Sequence, residues 1–255
     1  METMIDLDRY GHVVFLTGAG VSVASGLRPY RGPNGLWKDE TLVRLSHIET
    51  FATEPLEVWR HWWAMRALAM AAAPNAAHLA LARLEAARPA GTTFTLVTQN
   101  VDGLHARAGS ANVLEYHGTG LKTRCSNPSC ALEPFVDART AGDSVPECPL
   151  CSSPLRPDIV LFGEMIPARE SRGAKRALDE CDLFVAVGTS ATVFPAASFA
   201  RSAKYAGART LCLNLEHVDL AEGDFDEEIL GPAEETLPKC FGPTERSQVR
   251  EVPRP

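Results

Sequence analysis

The chain has 255 residues, 45% of them hydrophobic and 22% charged, with a formal net charge of −7. That length buries a substantial core without disulfide staples, and the composition is that of a globular protein. The acidic balance argues against a nucleic-acid surface spread over the chain, no apolar run is long enough to span a bilayer, and residues 1–11 carry no apolar segment of a secretory signal. A cytoplasmic protein working on a small cofactor, with no nucleic acid and no membrane as partner, is therefore the default expectation. In that compartment the seven cysteines are thiols or metal ligands rather than disulfides.

In chain order, Val13-Val14-Phe15-Leu16 is a β-branched and aromatic run that ends in Thr17-Gly18-Ala19-Gly20, a buried strand entering a tight turn. Residues 55–72, rich in Ala, Leu, Met and Trp with Pro55 in the first turn, predict a helix. A second helix follows Pro74, with Asn75 as its cap. The run 94–97 predicts a strand ending in Thr98-Gln99-Asn100. From 122 to 157 the texture changes to Cys, Pro, Ser and Gly, marking a small insert. Ala174, Ala177, Leu178 and Cys181 share one helical face. Strands 183–187 and 211–213 end in Gly188-Thr189-Ser190 and Asn214-Leu215-Glu216. Continuous apolar strands with small or polar residues at their carboxyl ends, alternating with helices, predict an α/β fold with a doubly wound, Rossmann-like parallel sheet and a smaller zinc-binding domain inserted. The expected division is a discontinuous dinucleotide-binding domain (1–29, 74–121 and 158–241), a helical part of the small domain (30–73), a zinc module (122–157) and a disordered polar tail (242–255).

Four constellations carry chemistry. Gly18-Ala19-Gly20 after a strand lets backbone approach a pyrophosphate, although Val23 breaks the strict G-x-G-x-x-G and a tight turn alone would also explain two glycines. Cys125-x4-Cys130 and Cys148-x2-Cys151 are two knuckles whose four thiolates make a closed, structural zinc site. Cys181 and Cys212, each alone in an apolar run, are read as buried free thiols. Gln99, Asn100 and Asp102 crowd the end of a buried strand, where they serve a ligand or, for Asp102, cap the next helix. His105 is read as structural. His117 has the ordinary imidazole pKa that suits proton abstraction at neutral pH, yet a lone His is more often a hydrogen-bonded core residue.

In order, Thr17-Gly-Ala-Gly-Val-Ser-Val-Ala-Ser-Gly26, Tyr30-Arg31-Gly32, Gly35-Leu36-Trp37, Thr98-Gln-Asn-Val-Asp-Gly-Leu-His105, His117-Gly118, the four cysteines, Phe162-Gly163-Glu164, Gly188-Thr189-Ser190 and Asn214-Leu215-Glu216 resemble the motifs of bacterial-type sirtuins, from about residue 13 to 233. The resemblance implies an NAD-dependent enzyme that removes acyl groups, acetyl first, from protein lysines, giving free lysine, nicotinamide and 2′-O-acyl-ADP-ribose. By the same resemblance His117 is the general base and Asn100 its catalytic companion on the nicotinamide ribose. Gly18, Ala19, Gly20, Ser22, Tyr30, Arg31, Trp37, Gln99, Asp102, Gly188, Thr189, Ser190, Asn214, Glu216 and Ala233 would surround NAD, with Glu216 disfavouring a 2′-phosphate. Val160, Leu161, Phe162 and Gly163 would pair with substrate backbone by strand addition.

Two departures from the family pattern bear on the ligands. Gly26-Leu27-Arg28-Pro29-Tyr30-Arg31 replaces the usual Gly-Ile-Pro-x-Phe-Arg, altering the cofactor loop but keeping its Arg. Desuccinylating and demalonylating sirtuins carry a Tyr and an Arg three residues apart on the helix before Pro74 to His78. Ungapped counting places Trp62 and Met65 there, an apolar wall, whereas a one-residue deletion places Trp63 and Arg66, a carboxylate clamp; simple helix packing explains these residues equally well. ADP-ribosyl transfer, NAD hydrolysis and a non-catalytic NAD-sensing role are the alternative functions.

Overall fold

The computed structural model describes residues 4–32, 35–190, 192–218 and 223–242. Its elements, in order, are β1 (His12–Thr17), α1 (Glu40–Arg44), α2 (Ile48–Thr53), α3 (Pro55–Ala71), α4 (Ala76–Ala87), β2 (Thr93–Thr98), α5 (Leu104–Arg107), β3 (Val113–Glu115) and β4 (Gly118–Cys125). They are followed by β5 (Phe135–Val136), β6 (Leu155–Ile159), α6 (Ala168–Glu180), β7 (Leu183–Val187), α7 (Phe199–Tyr205), β8 (Arg209–Asn214), β9 (Glu227–Leu230) and α8 (Ala233–Phe241).

Six strands form one parallel sheet in the order β3-β2-β1-β7-β8-β9. The chain winds outward from β1 to β3, then returns beside β1 as β7, so the winding reverses between β1 and β7. Both faces are covered, which explains why the strands are apolar without alternation. Val13, Phe15, Leu96, Val185 and Leu213 pack with Leu81 of α4 and Leu237 of α8 on one side. Val14, Leu16, Val97 and Phe184 pack with Ala174 and Leu178 of α6 and Phe199 of α7 on the other. Cys181 and Cys212 are buried thiols, as expected, and burial pushes their pKa values up to about 11 and about 12.

The second sheet is antiparallel, ordered β5-β4-β6, and reaches from Gly118 to Ile159, a few residues beyond the compositional insert at either end. It packs on α3 through Trp59, Trp62 and Trp63 together with Leu155, Ile159, Cys125 and Cys148. The Trp59 indole N–H donates to the Leu155 carbonyl at 2.8 Å, so this fully buried ring leaves no polar atom unpaired.

The predicted helices appear at 55–71 and 76–87, and the Asn75 side chain accepts from Ala77 N at 2.9 Å as a cap. The helix expected over 174–181 starts six residues earlier, at Ala168. Its first turns are polar because residues 168–173 are exposed or half-exposed, and burial begins at Ala174. The expected tail lies outside the described residues beyond Gly242.

Under the sheet's carboxyl edge, His78 and His105 are buried with ring centroids 4.8 Å apart. His105 Nε2 lies 2.9 Å from Thr17 Oγ1, whose own hydrogen goes to Thr98 Oγ1, and His78 Nδ1 accepts from Asn75 N at 3.3 Å. Burial lowers both imidazole pKa values; Asp102 opposes the shift at His78, and His78 reinforces it at His105. Both rings are therefore neutral in the fold, while the unfolded chain protonates them below about pH 6.5. Their contribution to stability is complete above that pH and is lost as pH falls toward the depressed folded values. Unfolding free energy should drop with a slope that rises from about 0.7 kcal/mol per pH unit for each ring at pH 6.5 toward about 1.4 at pH 5. Denaturant titrations at pH 7, 6 and 5 check the slope, and side-chain nitrogen shifts should still report two neutral rings at pH 5.

Candidate functional site

The carboxyl ends of β1, β2, β7 and β8 open into a cleft of about 780 Å³, within the range of small-molecule sites. It sits where the winding of the sheet reverses, the place where open α/β sheets bind ligands. A Cβ on Gly18 would lie 2.7 Å from the Gly188 carbonyl oxygen, and one on Gly20 2.7 Å from Gly188 Cα. Gly188 itself has φ 57°, and its own Cβ would meet Val21 N at 2.6 Å. These glycines are thus demanded first by the contact of two strand-end loops, and that contact leaves a floor without side chains.

Of the expected cofactor residues, Gly18, Ala19, Gly20, Tyr30, Arg31, Trp37, Gln99, Asn100, Gly188, Thr189, Ser190, Asn214, Glu216 and Ala233 line this cleft. Ser22 and Asp102 instead line an adjoining cavity of about 170 Å³, which shares Ala19, Tyr30, Trp62, Asn100 and Val101 with the cleft. There the Ser22 hydroxyl donates to Asp102 Oδ2 at 2.7 Å, and Asn100 Nδ2 donates to Gly18 O at 3.0 Å and Ser22 Oγ at 3.2 Å. Asp102 Oδ1 also accepts from Leu104 N at 2.9 Å, so the carboxylate caps α5 and faces the cavity at once. Gln99 Nε2 donates to Thr189 Oγ1 at 2.9 Å, tying the β2 loop to the β7 loop. Tyr30 stacks toward Trp37, and Trp37 toward Phe162, each at 5.2 Å. Arg31 lies over the Trp37 ring. Burial, helped by Asp102, raises the Tyr30 pKa to about 12, so its hydroxyl keeps its proton.

His117 lines the cleft beside Asn100. Its Nδ1 lies 3.1 Å from the Gln99 carbonyl oxygen. A carbonyl only accepts, so Nδ1 carries the hydrogen and the lone pair of the neutral ring is on Nε2. Desolvation lowers the imidazole pKa more than this bond raises it. At neutral pH the ring is a fixed, unprotonated base.

The substrate-side expectations divide. Val160, Leu161, Phe162 and Gly163 line the cleft, but much of their backbone is already paired. Val160 N donates to His117 O, Leu161 N to Glu164 Oε2, Phe162 N to Ser46 O, and Phe162 O accepts from Ile48 N. The full strand edge expected over 160–163 is thereby narrowed to the Val160 carbonyl and the Gly163 backbone. Trp62 lines both cavities and Met65 the smaller one. The Trp63–Arg66 register is not supported as an acyl clamp. Trp63 faces the insert, stacked on Trp59 at 5.1 Å, and lines neither cavity. Arg66 borders the smaller cavity, yet its guanidinium is 1% exposed and held 2.9 Å from Asp137.

The cysteine ligands converge. Sγ atoms of Cys125, Cys130, Cys148 and Cys151 all lie within 4.8 Å of one another, with Cys125–Cys151 at 3.5 Å and Cys130–Cys148 at 3.6 Å. A tetrahedron with Zn–S bonds of about 2.3 Å has S–S edges of about 3.8 Å, so the four sulfurs fit one zinc with no open coordination position. It is the one such His/Cys/Asp/Glu cluster among the described residues. The motifs did not flag Val23, Phe194, Met165 or Leu215 as lining residues; all are exposed apolar side chains on the cleft rim. Only the unusual exposure of large apolar groups marks them, and that is invisible before folding. Purified protein should hold one zinc per chain by elemental analysis. Cys148→Ser should lose it and lower the thermal midpoint, since structural zinc contributes directly to folding.

A model of the Sir2 family matches residues 18–195. A protein of Salmonella typhimurium named NAD-dependent protein deacylase is 42% identical over 233 residues, covering 89% of this chain and 81% of that one. One of the same name from Vibrio parahaemolyticus is 41% identical over 234 residues, covering 90% and 93%. Among solved structures, a Sir2 homolog–NAD complex aligns with a TM-score of 0.81 at 37% identity over 92% of both chains. Sir2 bound to acetylated peptide aligns with a TM-score of 0.77 at 28% identity, over 91% of this chain and 92% of that one. The parallel sheet with its glycine-floored cleft, the four-thiol centre of the insert and the family match over most of the length agree: the chain belongs to the Sir2 family.

Proposed function

We propose that this chain is a cytoplasmic NAD-dependent protein lysine deacylase, acting on acylated lysines of protein substrates without nucleic acid or membrane as partner. No helix among the described residues is long and apolar enough to cross a membrane. The observation that carries the reading is His117: a half-buried base whose free nitrogen is fixed by the Gln99 carbonyl, set at a cleft floored by Gly18, Gly20 and Gly188. When bound, NAD supplies an electrophilic ribose carbon and nicotinamide as leaving group.

The chain's own residues do the rest by position. The glycine floor leaves backbone free to approach a diphosphate. Asn214, Glu216 and Ala233 form the adenosine end, where the Glu216 carboxylate accepts ribose hydroxyls and repels a 2′-phosphate. Asn100, backed by Ser22 and Asp102, offers polar groups to a carboxamide where the smaller cavity meets the cleft. Tyr30, Trp37 and Phe162 form an aromatic wall that keeps water from the reacting carbon. His117 Nε2 takes a proton from a ribose hydroxyl, so that this oxygen can attack the acyl carbon. Extended peptide enters beside the Val160 carbonyl and Gly163. The dinucleotide domain, helical lobe and zinc module act as the units proposed from composition, the first two walling the cleft.

His117→Ala should lower turnover on an acetyl-lysine peptide by about 10²- to 10⁴-fold, the usual cost of losing a positioned base. The wild-type kcat/KM profile should be level from pH 7 to 8. It should fall only below the ordinary histidine value of about 6.5, because burial lowers the His117 pKa and the acid form is the inactive one. Mass analysis should find 2′-O-acyl-ADP-ribose; ADP-ribosylated protein or free ADP-ribose as the main product would reject the reading.

We further propose that the acyl group is neutral, acetyl first. Trp62 and Met65 face the smaller cavity, while Arg66, the one arginine within a residue of the expected clamp position, is engaged elsewhere. A carboxylate would enter without a cation from α3 to replace its hydration, a cost that an apolar wall does not repay. A panel of acyl-lysine peptides should give a higher kcat/KM for acetyl than for succinyl; the reverse order would reject neutral-acyl selectivity while leaving deacylation intact.

A further inference from the structure

Arg66 is among the largest fully buried side chains of the protein, and its guanidinium is fully used. Nε donates to Gly120 O at 2.7 Å, and Nη2 to Lys122 O at 3.1 Å and Thr123 Oγ1 at 3.0 Å. Nη1 donates to Arg139 O at 3.2 Å and lies 2.9 Å from Asp137 Oδ2. Four hydrogen bonds and the ion pair with Asp137 thus occupy all three guanidinium nitrogens. Burial alone would raise the Asp137 pKa, but bonds from Arg139 and Thr123, with the field of Arg66, hold it well below the usual carboxylate range. Charge balance does not require Arg66, since Arg139 already grips Asp137 with two bonds of 2.8 and 2.9 Å.

The bond to Gly120 leads toward the ligand cavities. Gly120 N donates to Val101 O at 2.8 Å, and Val101, which lines both cavities, stands between Asn100 and Asp102. Gly120 has no side chain to spare there, because a Cβ would come within 3.2 Å of Val101 O. On the helix side, Met65 and Trp62 line the smaller cavity one residue and about one turn before Arg66.

We propose that Arg66 is a positioning residue that sets the spacing between the α3 wall of the acyl-lysine cavity and the Asn100–Asp102 loop, through Gly120 and Val101. This rests on the deacylase reading. The planar fork fixes α3 against β4 at several angles at once; lysine, with three donors on one nitrogen, cannot replace contacts spread over three nitrogens. Misplacing reacting groups by about 1 Å costs up to about 100-fold in rate.

The test compares the full-length wild type with Arg66→Lys and Gly120→Ala. Steady-state constants on an acetyl-lysine peptide at saturating NAD are read beside ADP-ribose affinity by calorimetry, which reports nucleotide binding without the nicotinamide or an acyl-lysine. Arg66→Lys should lower kcat/KM for the peptide by about tenfold or more, with ADP-ribose Kd within about twofold of wild type and one zinc per chain retained. Gly120→Ala, which pushes on Val101 while leaving the fork in place, should show the same split with a smaller loss. An unchanged kcat/KM in Arg66→Lys, a parallel loss of ADP-ribose binding, or wild-type behaviour of Gly120→Ala would overturn the proposal. If Arg66→Lys does not fold, Gly120→Ala decides alone. Absence of acyl-ADP-ribose from the wild type itself would instead mark failure of the deacylase reading, and is seen before any variant is compared.

Discussion

Everything at the cleft depends on one steric fact: the loops that leave β1 and β7 touch backbone to backbone. Gly18, Gly20 and Gly188 occupy positions where a Cβ would overlap the opposite loop by several tenths of an ångström or more. Because β1 and β7 are neighbours at the reversal of the sheet, this contact fixes the point at which the strand ends diverge and a crevice opens. The glycine pattern is therefore no simple phosphate fingerprint. It closes the fold at the sheet's carboxyl edge, and the bare floor it creates is what a dinucleotide's diphosphate can approach. The β2 loop is bound to the same floor by Gln99 to Thr189 and Asn100 to Gly18, which carries polar groups and His117 into one place.

The second lobe is held by different physics. Its sheet is too short to bury much, and its stability comes from three tryptophans of α3, the four-thiol centre and the Arg66–Asp137–Arg139 cluster. Each of these ties α3 or the metal knuckles to β4 and β6. The two ends of β4 then serve separate tasks: Cys125 belongs to the metal site, while Gly120 lies against Val101 of the loop after β2. Structural metal and cavity geometry are thus connected through one strand without the metal meeting the substrate.

The main sheet was legible because its inner strands are buried on both faces and had to be continuous apolar runs, as at Val13 to Leu16 and Leu183 to Val187. The edge strands β3 and β9, Val-Leu-Glu and Glu-Glu-Ile-Leu, carry too few apolar residues to stand out from loops, and α1, α2 and α7 are too short for a periodic signal. The cysteine spacing announced the metal centre because tetrahedral thiolate geometry constrains chain length. Helix rotation was another matter. Trp62 and Trp63 are equivalent in composition, and only packing shows that Trp62 turns to the cavity and Trp63 to the insert. The task of Arg66 was equally hidden, since three of its partners are backbone carbonyls, and backbone carbonyls have no sequence signature. So too was the loss of strand edge at Phe162, whose amide and carbonyl are taken by residues more than a hundred positions away.

The central claim is spatial: the glycine floor and the His117 imidazole face the same bound dinucleotide. A crystal structure of the protein with ADP-ribose and an acetyl-lysine peptide tests it directly. The diphosphate should lie over Gly18, Gly20 and Gly188, with a ribose hydroxyl within about 3 Å of His117 Nε2. A nucleotide seated elsewhere, or an imidazole turned away with Nδ1 released from the Gln99 carbonyl, would contradict it.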